Sequence, residues 1–190
     1  MVSPSNHQPP PARPEPVERV EGRAALPPSS LRVVEAARAA GLEIEVCEFP
    51  EGTRTAEDAA RAIGVSVGQI VKSLVFTTDG RPVLCLVSGL NRVDGARLAV
   101  ITGASDVRRA SADEVERVTG FAIGGVPPVL SPVEGPLGHA HPLPIYCDRD
   151  LLAFDIVWAA AGTPRAVFSA QPLALVKACR ATVADLKEEA

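Results

Sequence analysis

A short apolar run that carries a single charge, residues 70–76, constrains the fold of this chain more than any other segment. The run, Ile-Val-Lys-Ser-Leu-Val-Phe, has the length and apolar content of a buried strand. Asp79 and Gly80 follow as a hairpin turn signal, and a second apolar run occupies residues 82–88. The sequence therefore predicts a β-hairpin whose first strand contains a lysine.

Lys72 is that lysine, and two interpretations of it are open. A lysine is rarely buried without a partner, and desolvation would lower its pKa. In the first interpretation the side chain has a structural role, because it closes an ion pair or reaches solvent from a strand end. In the second it binds a ligand. A rigid Gly/Pro loop some fifty residues on favours the ligand, because such a loop can present backbone N–H groups to an anion or a polarised carbonyl. The loop consists of Gly124, Gly125, Val126, Pro127 and Pro128.

Caps and turn signals predict the remaining elements. Helices are expected over residues 30–40, 55–64, 94–100, 111–120 and 172–187. Further strands are expected over residues 44–49, 143–147, 156–160 and 165–170. Strands and helices are interspersed without a regular βαβ rhythm, so the expected fold class is α/β of the mixed α+β kind, with a single mixed sheet flanked by helices.

Composition predicts one domain and a separate tail. A chain of 190 residues with 46% hydrophobic residues can bury one substantial core. Residues 1–28 are rich in proline and poor in large apolar groups, so we predict a disordered tail there and a single domain over 29–190. The formal net charge of −4 gives no general signal for binding nucleic acids or membranes.

One part of the chain nevertheless has an excess of basic residues. Between residues 72 and 109, six basic residues stand against three acidic ones. That excess is enough for a small phosphate-contact surface, and an ordinary solvated face would show the same count. The basic residues are Lys72, Arg81, Arg92, Arg97, Arg108 and Arg109.

The four cysteines indicate a reducing compartment. They are widely separated and form no Cys-x-x-Cys pair, which argues against a disulfide framework or a zinc site. No segment has the character of a membrane span or a secretory signal, so a cytoplasmic location without membrane partners is expected. His139 and His141 lie in a Pro/Gly loop without further ligands, and no metal or other cofactor is expected.

Three separated blocks of the sequence resemble one known family. They are residues 69–76 (Gln-Ile-Val-Lys-Ser-Leu-Val-Phe), 119–128 (Thr-Gly-Phe-Ala-Ile-Gly-Gly-Val-Pro-Pro) and 154–164 (Phe-Asp-Ile-Val-Trp-Ala-Ala-Ala-Gly-Thr-Pro). In this order and spacing they resemble the YbaK/prolyl-tRNA-synthetase-associated editing domain family, over roughly residues 30–187. The resemblance implies a mixed, partly barrel-like sheet with surrounding helices, in agreement with the elements predicted above.

Members of that family are aminoacyl-tRNA deacylases. They hydrolyse the ester between a wrongly attached amino acid and the 3′-terminal ribose of a tRNA, most often the tRNA for proline. By resemblance, Lys72 is the site lysine that engages the terminal phosphate and the substrate. Gly124 and Pro128 match the ends of the family's G-x-x-x-P loop, whose backbone holds the ester carbonyl and the attacking water.

The same resemblance assigns contacts around the reacting group. Apart from the resemblance, Arg92 and Arg97 are candidate contacts to the tRNA acceptor end, and solvated charges on a helix face would look the same. The residues assigned to substrate binding are Phe49, Thr55, Ala159, Ala160, Ala161 and Gly162.

Two departures from the family pattern bear on specificity. Ala160 and Val167 stand where the branch specific for cysteinyl-tRNA has a hydroxyl and a carboxylate, which argues against cysteine. An apolar pocket suits alanine, 2-aminobutyrate, serine or threonine instead. Residues 130–137 also separate the loop from Gly138-His139, a pair that follows it directly in the family, so a longer loop is expected to border the site.

The expected function is hydrolysis of mischarged tRNA by a free-standing, monomeric deacylase, since no synthetase catalytic domain accompanies these residues. An aminoacyl ester is already activated, so positioning and carbonyl polarisation suffice, and no Ser-His-Asp or Cys-His set is required. The expected partners are the 3′ acceptor end of aminoacyl-tRNA and an aminoacyl-tRNA synthetase. The alternative is a non-catalytic module that binds aminoacyl-tRNA or a synthetase, with the Pro-rich tail as a tether.

Overall fold

The computed structural model describes residues 26–49, 55–128 and 143–189. Most of the proline-rich segment, the 130–137 insertion, His139 and His141 lie outside the described residues. Leu26 packs against the core and the first helix begins at Pro28, so the folded part extends at least to residue 26.

The described residues contain five α-helices and eight strands. The helices are α1 (Pro28–Ala39), α2 (Ala56–Ile63), α3 (Gly95–Thr102), α4 (Ala112–Thr119) and α5 (Pro172–Cys179). The strands are β1 (Val46–Glu48), β2 (Ile70–Thr78), β3 (Arg81–Ser88), β4 (Val107–Arg109), β5 (Ile145–Asp148), β6 (Val157–Ala160), β7 (Ala166–Ala170) and β8 (Thr182–Ala184).

All eight strands belong to one mixed sheet in the order β1-β7-β6-β2-β3-β5-β8, with β4 paired to β2 off this path. The predicted hairpin forms its centre, because β2 and β3 pair antiparallel from Val71–Ser88 to Thr78–Arg81. Asp79 and Gly80 both have positive φ, as the tight hairpin turn requires. Three pairs, β2–β6, β3–β5 and β5–β8, are parallel. The prediction of one mixed sheet flanked by helices is confirmed.

Reciprocal capping boxes begin two of the helices where the sequence predicts them. Thr55 and Asp58 form a reciprocal capping box at α2, and Ser111 and Glu114 form one at α4. Both helices end at a glycine in the left-handed conformation, a backbone geometry that glycine adopts without steric cost. The bounds of α2 and α4 therefore follow from local chemistry.

The C-terminal prediction is wrong beyond residue 179. Helix α5 ends at Cys179, Arg180 adopts a left-handed conformation with φ 52°, and residues 182–184 form β8. Strand β8 pairs in parallel with β5, so a contact between distant segments overrides the local helical pattern. The three-residue strand β4 and the 3-10 turn Arg149–Ala153 were not predicted, because such short segments carry no periodic pattern.

The two faces of the sheet are covered differently. Successive residues of a strand point to opposite faces, and Val71 and Val75 lie in the largest buried cluster, together with Leu84, Leu86 and Phe168. The other face carries two smaller clusters, one containing Ile70 beneath α2 and one containing Phe76. Lys72 points to this second face, between the two smaller clusters. No described helix is long and apolar enough to cross a membrane.

Candidate active site

A gap along one edge of β2 exposes the strand around Lys72. Strand β6 pairs with β2 only at Ile70 and Val71, and β4 pairs with it only from Phe76 to Thr78. In the described residues, Lys72, Ser73 and Leu74 have no strand partner on this edge. A cavity of about 260 Å³ lies at the gap, and its walls come from α2, β2, the β6–β7 hairpin and the three residues Ile123, Gly124 and Val126.

Lys72 is held by main-chain carbonyls and not by a carboxylate. Its Nζ donates to the carbonyl oxygens of Gly89 at 3.0 Å and Asn91 at 2.5 Å, and no described carboxylate forms an ion pair with it. An ammonium has three N–H donors, so one remains for a ligand. The structural ion pair that the sequence left open for Lys72 is therefore absent from the described residues.

Burial lowers the pKa of Lys72 from its usual value of 10.5. The main cause is desolvation; Glu57 opposes it, whereas the nearby positive charges of Arg92 and Arg109 add to it. A half-buried ammonium beside two further cations favours binding of an anion, because an anion would relieve both the desolvation and the repulsion.

The segment that supplies these carbonyls is itself fixed by a buried polar network. A Cβ at Gly89 would lie 2.1 Å from the Val67 carbonyl oxygen, so only glycine fits there. The Asn91 side-chain amide donates to Asp148 at 2.7 Å and to Asp150 at 2.9 Å. Asp148 is fully buried and also accepts from the backbone N–H groups of Ser88 and Asp150. Asp148 thus anchors the chain that positions the ammonium of Lys72.

Neither Asn91 nor Asp148 was predicted from the sequence. A carboxylate directly after the apolar β5 residues is the only signal for Asp148, and no local pattern connects it with Asn91. Ser73 was missed as well; it lines the cavity, and its Oγ is buried without a hydrogen-bond partner in the described residues.

The predicted Gly/Pro loop reaches the same cavity as Lys72. Gly124 and Val126 line it, whereas Gly125, Pro127 and Pro128 are buried behind the lining. The Gly162 N–H donates to the Gly125 carbonyl oxygen at 3.1 Å, and a Cβ at Gly125 would lie 3.0 Å from backbone atoms of Gly162 and Thr163. The loop is therefore held directly against the β6–β7 hairpin.

The other residues expected around the substrate divide into two groups. Thr55, Ala159 and Ala160 line the cavity, and Trp158 and Val167 contribute to the same wall. The remaining three lie behind it: Phe49 and Ala161 are buried in the core, and a Cβ at Gly162 would meet the backbone of Ser29.

The two arginines expected to contact tRNA differ in their surroundings. Arg92 is exposed, and no described carboxylate forms an ion pair with it. Arg97 forms ion pairs with Asp94, Asp185 and Glu189. A phosphate would have to displace these carboxylates to reach Arg97, so the geometry favours Arg92. The described residues contain no group of three side chains that could hold a metal ion.

Comparison with known proteins assigns this arrangement to a family. Residues 50–178 match the family described as the aminoacyl-tRNA editing domain. The chain belongs to the aminoacyl-tRNA editing domain family. The resemblance drawn from the three sequence blocks is thereby confirmed.

Two relatives match most of this chain. A solved structure of a proposed trans-editing enzyme for prolyl tRNA synthetase is 49% identical with a TM-score of 0.78, and the match covers 87% of this chain and all of that one. The protein YwhH of Bacillus subtilis (strain 168) is 34% identical over 131 residues, which is 68% of this chain and 78% of YwhH.

The editing domain also matches a small part of a much longer enzyme. Proline–tRNA ligase of Maridesulfovibrio salexigens is 32% identical over 101 residues, which is 53% of this chain but only 16% of the ligase. The similarity to the ligase therefore concerns one segment of that protein and not its whole length.

Proposed function

We propose that this editing domain is a trans-acting aminoacyl-tRNA deacylase, which hydrolyses tRNA for proline that carries a small non-cognate amino acid. The observation that carries the proposal is that Lys72, the Gly124 loop and a wall of small apolar residues line the same cavity. The likeness to a proposed trans-editing enzyme for prolyl tRNA synthetase supports both the activity and the choice of tRNA.

In the proposed reaction, water adds to the ester carbonyl and the bond to the ribose oxygen breaks, which releases the amino acid and a free ribose hydroxyl. The remaining Lys72 N–H binds the terminal phosphate and positions the ester at the cavity. The backbone of the loop that starts at Gly124 holds the carbonyl and the water. Since an aminoacyl ester is already activated, positioning and polarisation supply the required catalysis. The neighbouring ribose hydroxyl takes part in proton transfer.

The wall of the cavity is the basis of the proposed specificity. Ala159 and Ala160 present methyl groups, and neither Ala160 nor Val167 can donate or accept a hydrogen bond through its side chain. Such a wall suits alanine, 2-aminobutyrate, serine or threonine better than cysteine. A synthetic site distinguishes a missing methylene by only about 1–3 kcal/mol, so a second hydrolytic site has a clear purpose.

We further propose that the domain acts as a monomer on the acceptor end of tRNA in the cytoplasm, and that a synthetase is an additional partner. The match to a segment of proline–tRNA ligase also favours a second candidate, a module that binds aminoacyl-tRNA or a synthetase without hydrolysing the ester. Under that second candidate, Lys72 would contribute to binding alone.

The deciding experiment is single-turnover deacylation of tRNA for proline charged with alanine, 2-aminobutyrate, serine, threonine, cysteine or proline. We expect rapid hydrolysis of one of the small non-cognate esters, little hydrolysis of prolyl-tRNA, and at least a hundredfold loss in the Lys72→Ala variant, a typical scale for removal of one electrostatic donor. Hydrolysis should also stop when the ribose of the terminal adenosine lacks the free hydroxyl next to the ester.

Lys177→Ala is the matched control, since Lys177 is exposed on α5, away from the cavity lining. It should leave the rate unchanged. Binding of charged tRNA without hydrolysis of any of the six esters would support the non-catalytic module instead. Equal rates for wild type and Lys72→Ala would contradict the role of Lys72.

A further inference from the structure

A second cation faces the same side of the sheet as Lys72. In the β2–β4 pair, Arg109 lies directly opposite Phe76, and residues opposite each other in an antiparallel pair point to the same face. Phe76 and Lys72 are four residues apart on β2, an even number, so they also share that face. Arg109 therefore borders the open edge of β2 on the face to which Lys72 points, at the end of the gap opposite β6.

Arg109 is exposed to solvent at the open edge of β2. No described acidic side chain forms an ion pair with it, and its charge is among those that act on Lys72. The adjacent Arg108 is different, because its guanidinium donates to both carboxylate oxygens of Glu114, at 2.7 Å and 2.9 Å. Two neighbouring arginines thus have the same charge but only one of them is available to an anion.

We propose that Arg109 binds a backbone phosphate of the acceptor strand, separate from the phosphate that Lys72 binds. This inference rests on the proposed function, because it assumes that an RNA 3′ end occupies the gap. Four strand residues span about 13 Å, so the ammonium of Lys72 and the guanidinium of Arg109 reach different phosphates of an extended strand. Arg92, which is also exposed and close to Lys72, continues this basic border.

A phosphate suits this position better than a carboxylate of a protein partner. An exposed guanidinium presents several N–H donors in a fixed fork that matches the oxygens of a phosphate. The gap beside β2 is continuous with the cavity that would hold the ester, and in a charged tRNA the groups next to the ester are the phosphates of its own strand. Backbone contacts of this kind position an RNA without reading its sequence.

The test compares Arg109→Gln with Arg108→Gln, two adjacent variants that lose the same charge. Binding of an RNA microhelix that ends in CCA and carries no amino acid is measured by fluorescence anisotropy from 25 to 200 mM salt. Loss of one phosphate contact should reduce the slope of log affinity against log salt by about one in Arg109→Gln. Arg108→Gln should keep the slope of the wild-type protein, and both variants should melt close to the wild-type temperature.

A second measurement separates this inference from the proposed function. Arg109→Gln should slow hydrolysis of the aminoacylated microhelix but not of 3′-aminoacyl-adenosine 5′-phosphate, which keeps only the terminal phosphate assigned to Lys72, whereas Lys72→Ala should slow both. Equal slopes for the two arginine variants would overturn the proposal, even if deacylation is observed. If the wild type hydrolyses neither ester while the slopes differ as expected, the deacylase proposal fails and the phosphate contact stands.

Discussion

Lys72 can keep its positive charge on the half-buried face of the sheet because main-chain oxygens surround part of its ammonium. Gly89 and Asn91 offer carbonyls that satisfy two N–H donors without neutralising the charge. A carboxylate at the same place would have cancelled the charge and competed with an anionic ligand. The lysine is thus oriented and still able to attract an anion.

The titration of the lysines provides a direct check of this arrangement. The chain has three lysines, Lys72, Lys177 and Lys187. NMR of protein labelled with carbon-13 at the lysine Cε therefore gives three signals. Burial lowers the pKa of Lys72, and hydrogen bonding to Asp150 raises the pKa of Lys187. The Lys72 signal should therefore titrate below pH 10.5 and the Lys187 signal above it.

The same shift has a consequence for stability. The unfolded chain holds the Lys72 proton up to its usual pKa of 10.5, whereas the folded chain releases it at a lower pH. The contribution of Lys72 to stability therefore becomes more favourable as pH rises from the folded pKa to 10.5.

In the NMR titration, substitution of each lysine by arginine assigns the signals. A Lys72 signal that titrates above pH 10.5 would show that its ammonium is not desolvated.

Asp148 should matter for stability because it is fully buried and accepts three hydrogen bonds. In Asp148→Ala, the Asn91 amide loses one of its two partners and the Ser88 N–H loses its carboxylate. We expect the free energy of unfolding, measured with urea, to fall by about 3 kcal/mol. Asp155→Ala is the control, since Asp155 is exposed. Equal losses in the two variants would argue against the network.

At the scale of elements, the loop around Gly125 and the β6–β7 hairpin act as one unit. The main-chain hydrogen bond from Gly162 to Gly125 joins them, and a methyl group between them would be closer to backbone atoms than ordinary van der Waals contact. Because Gly124 and Val126 line the cavity, any displacement of Gly125 moves a wall of the site.

Gly125→Ala tests that contact. The added Cβ would lie 3.0 Å from backbone atoms, which have little freedom to move, so the loop must shift by a few tenths of an ångström. We expect a loss of stability of about 1–3 kcal/mol, typical of overpacking, and a clear reduction in deacylation. Gly95→Ala at the start of α3 is the control, because its Cβ would have nothing closer than 4.0 Å and should leave the melting temperature unchanged or higher. A similar result for both glycines would rule out the close contact.

At the scale of the whole molecule, all four cysteines are buried. Desolvation raises the pKa of Cys85, Cys147 and Cys179 to about 12, so these thiols hold almost no thiolate near neutral pH. We expect Ellman's reagent at pH 8 to react with them slowly in the native protein and rapidly in urea. Fast reaction of all four thiols without denaturant would show that the core opens readily.

Much of the fold was predictable because it depends on short-range chemistry. The β2–β3 hairpin follows from two apolar runs around Asp79-Gly80, and α2 and α4 follow from capping boxes and terminal glycines. The lysine, the Gly/Pro loop and the small-residue block were recognisable as parts of one site from their order and resemblance. For the hairpin and the two helices, the neighbouring residues alone carry the signal.

The sequence by itself determined the hairpin, the helix caps and membership of the editing domain family, because turn geometry, capping and motif spacing act within short segments. Only the tertiary structure decided that residues 182–184 form a strand and that Asp148 anchors the carbonyls around Lys72. It also decided that Arg97 is paired, whereas Arg109 forms no ion pair with any described residue. Each of these depends on contacts between residues distant in the chain, whose free energies outweigh local preference and leave no local pattern.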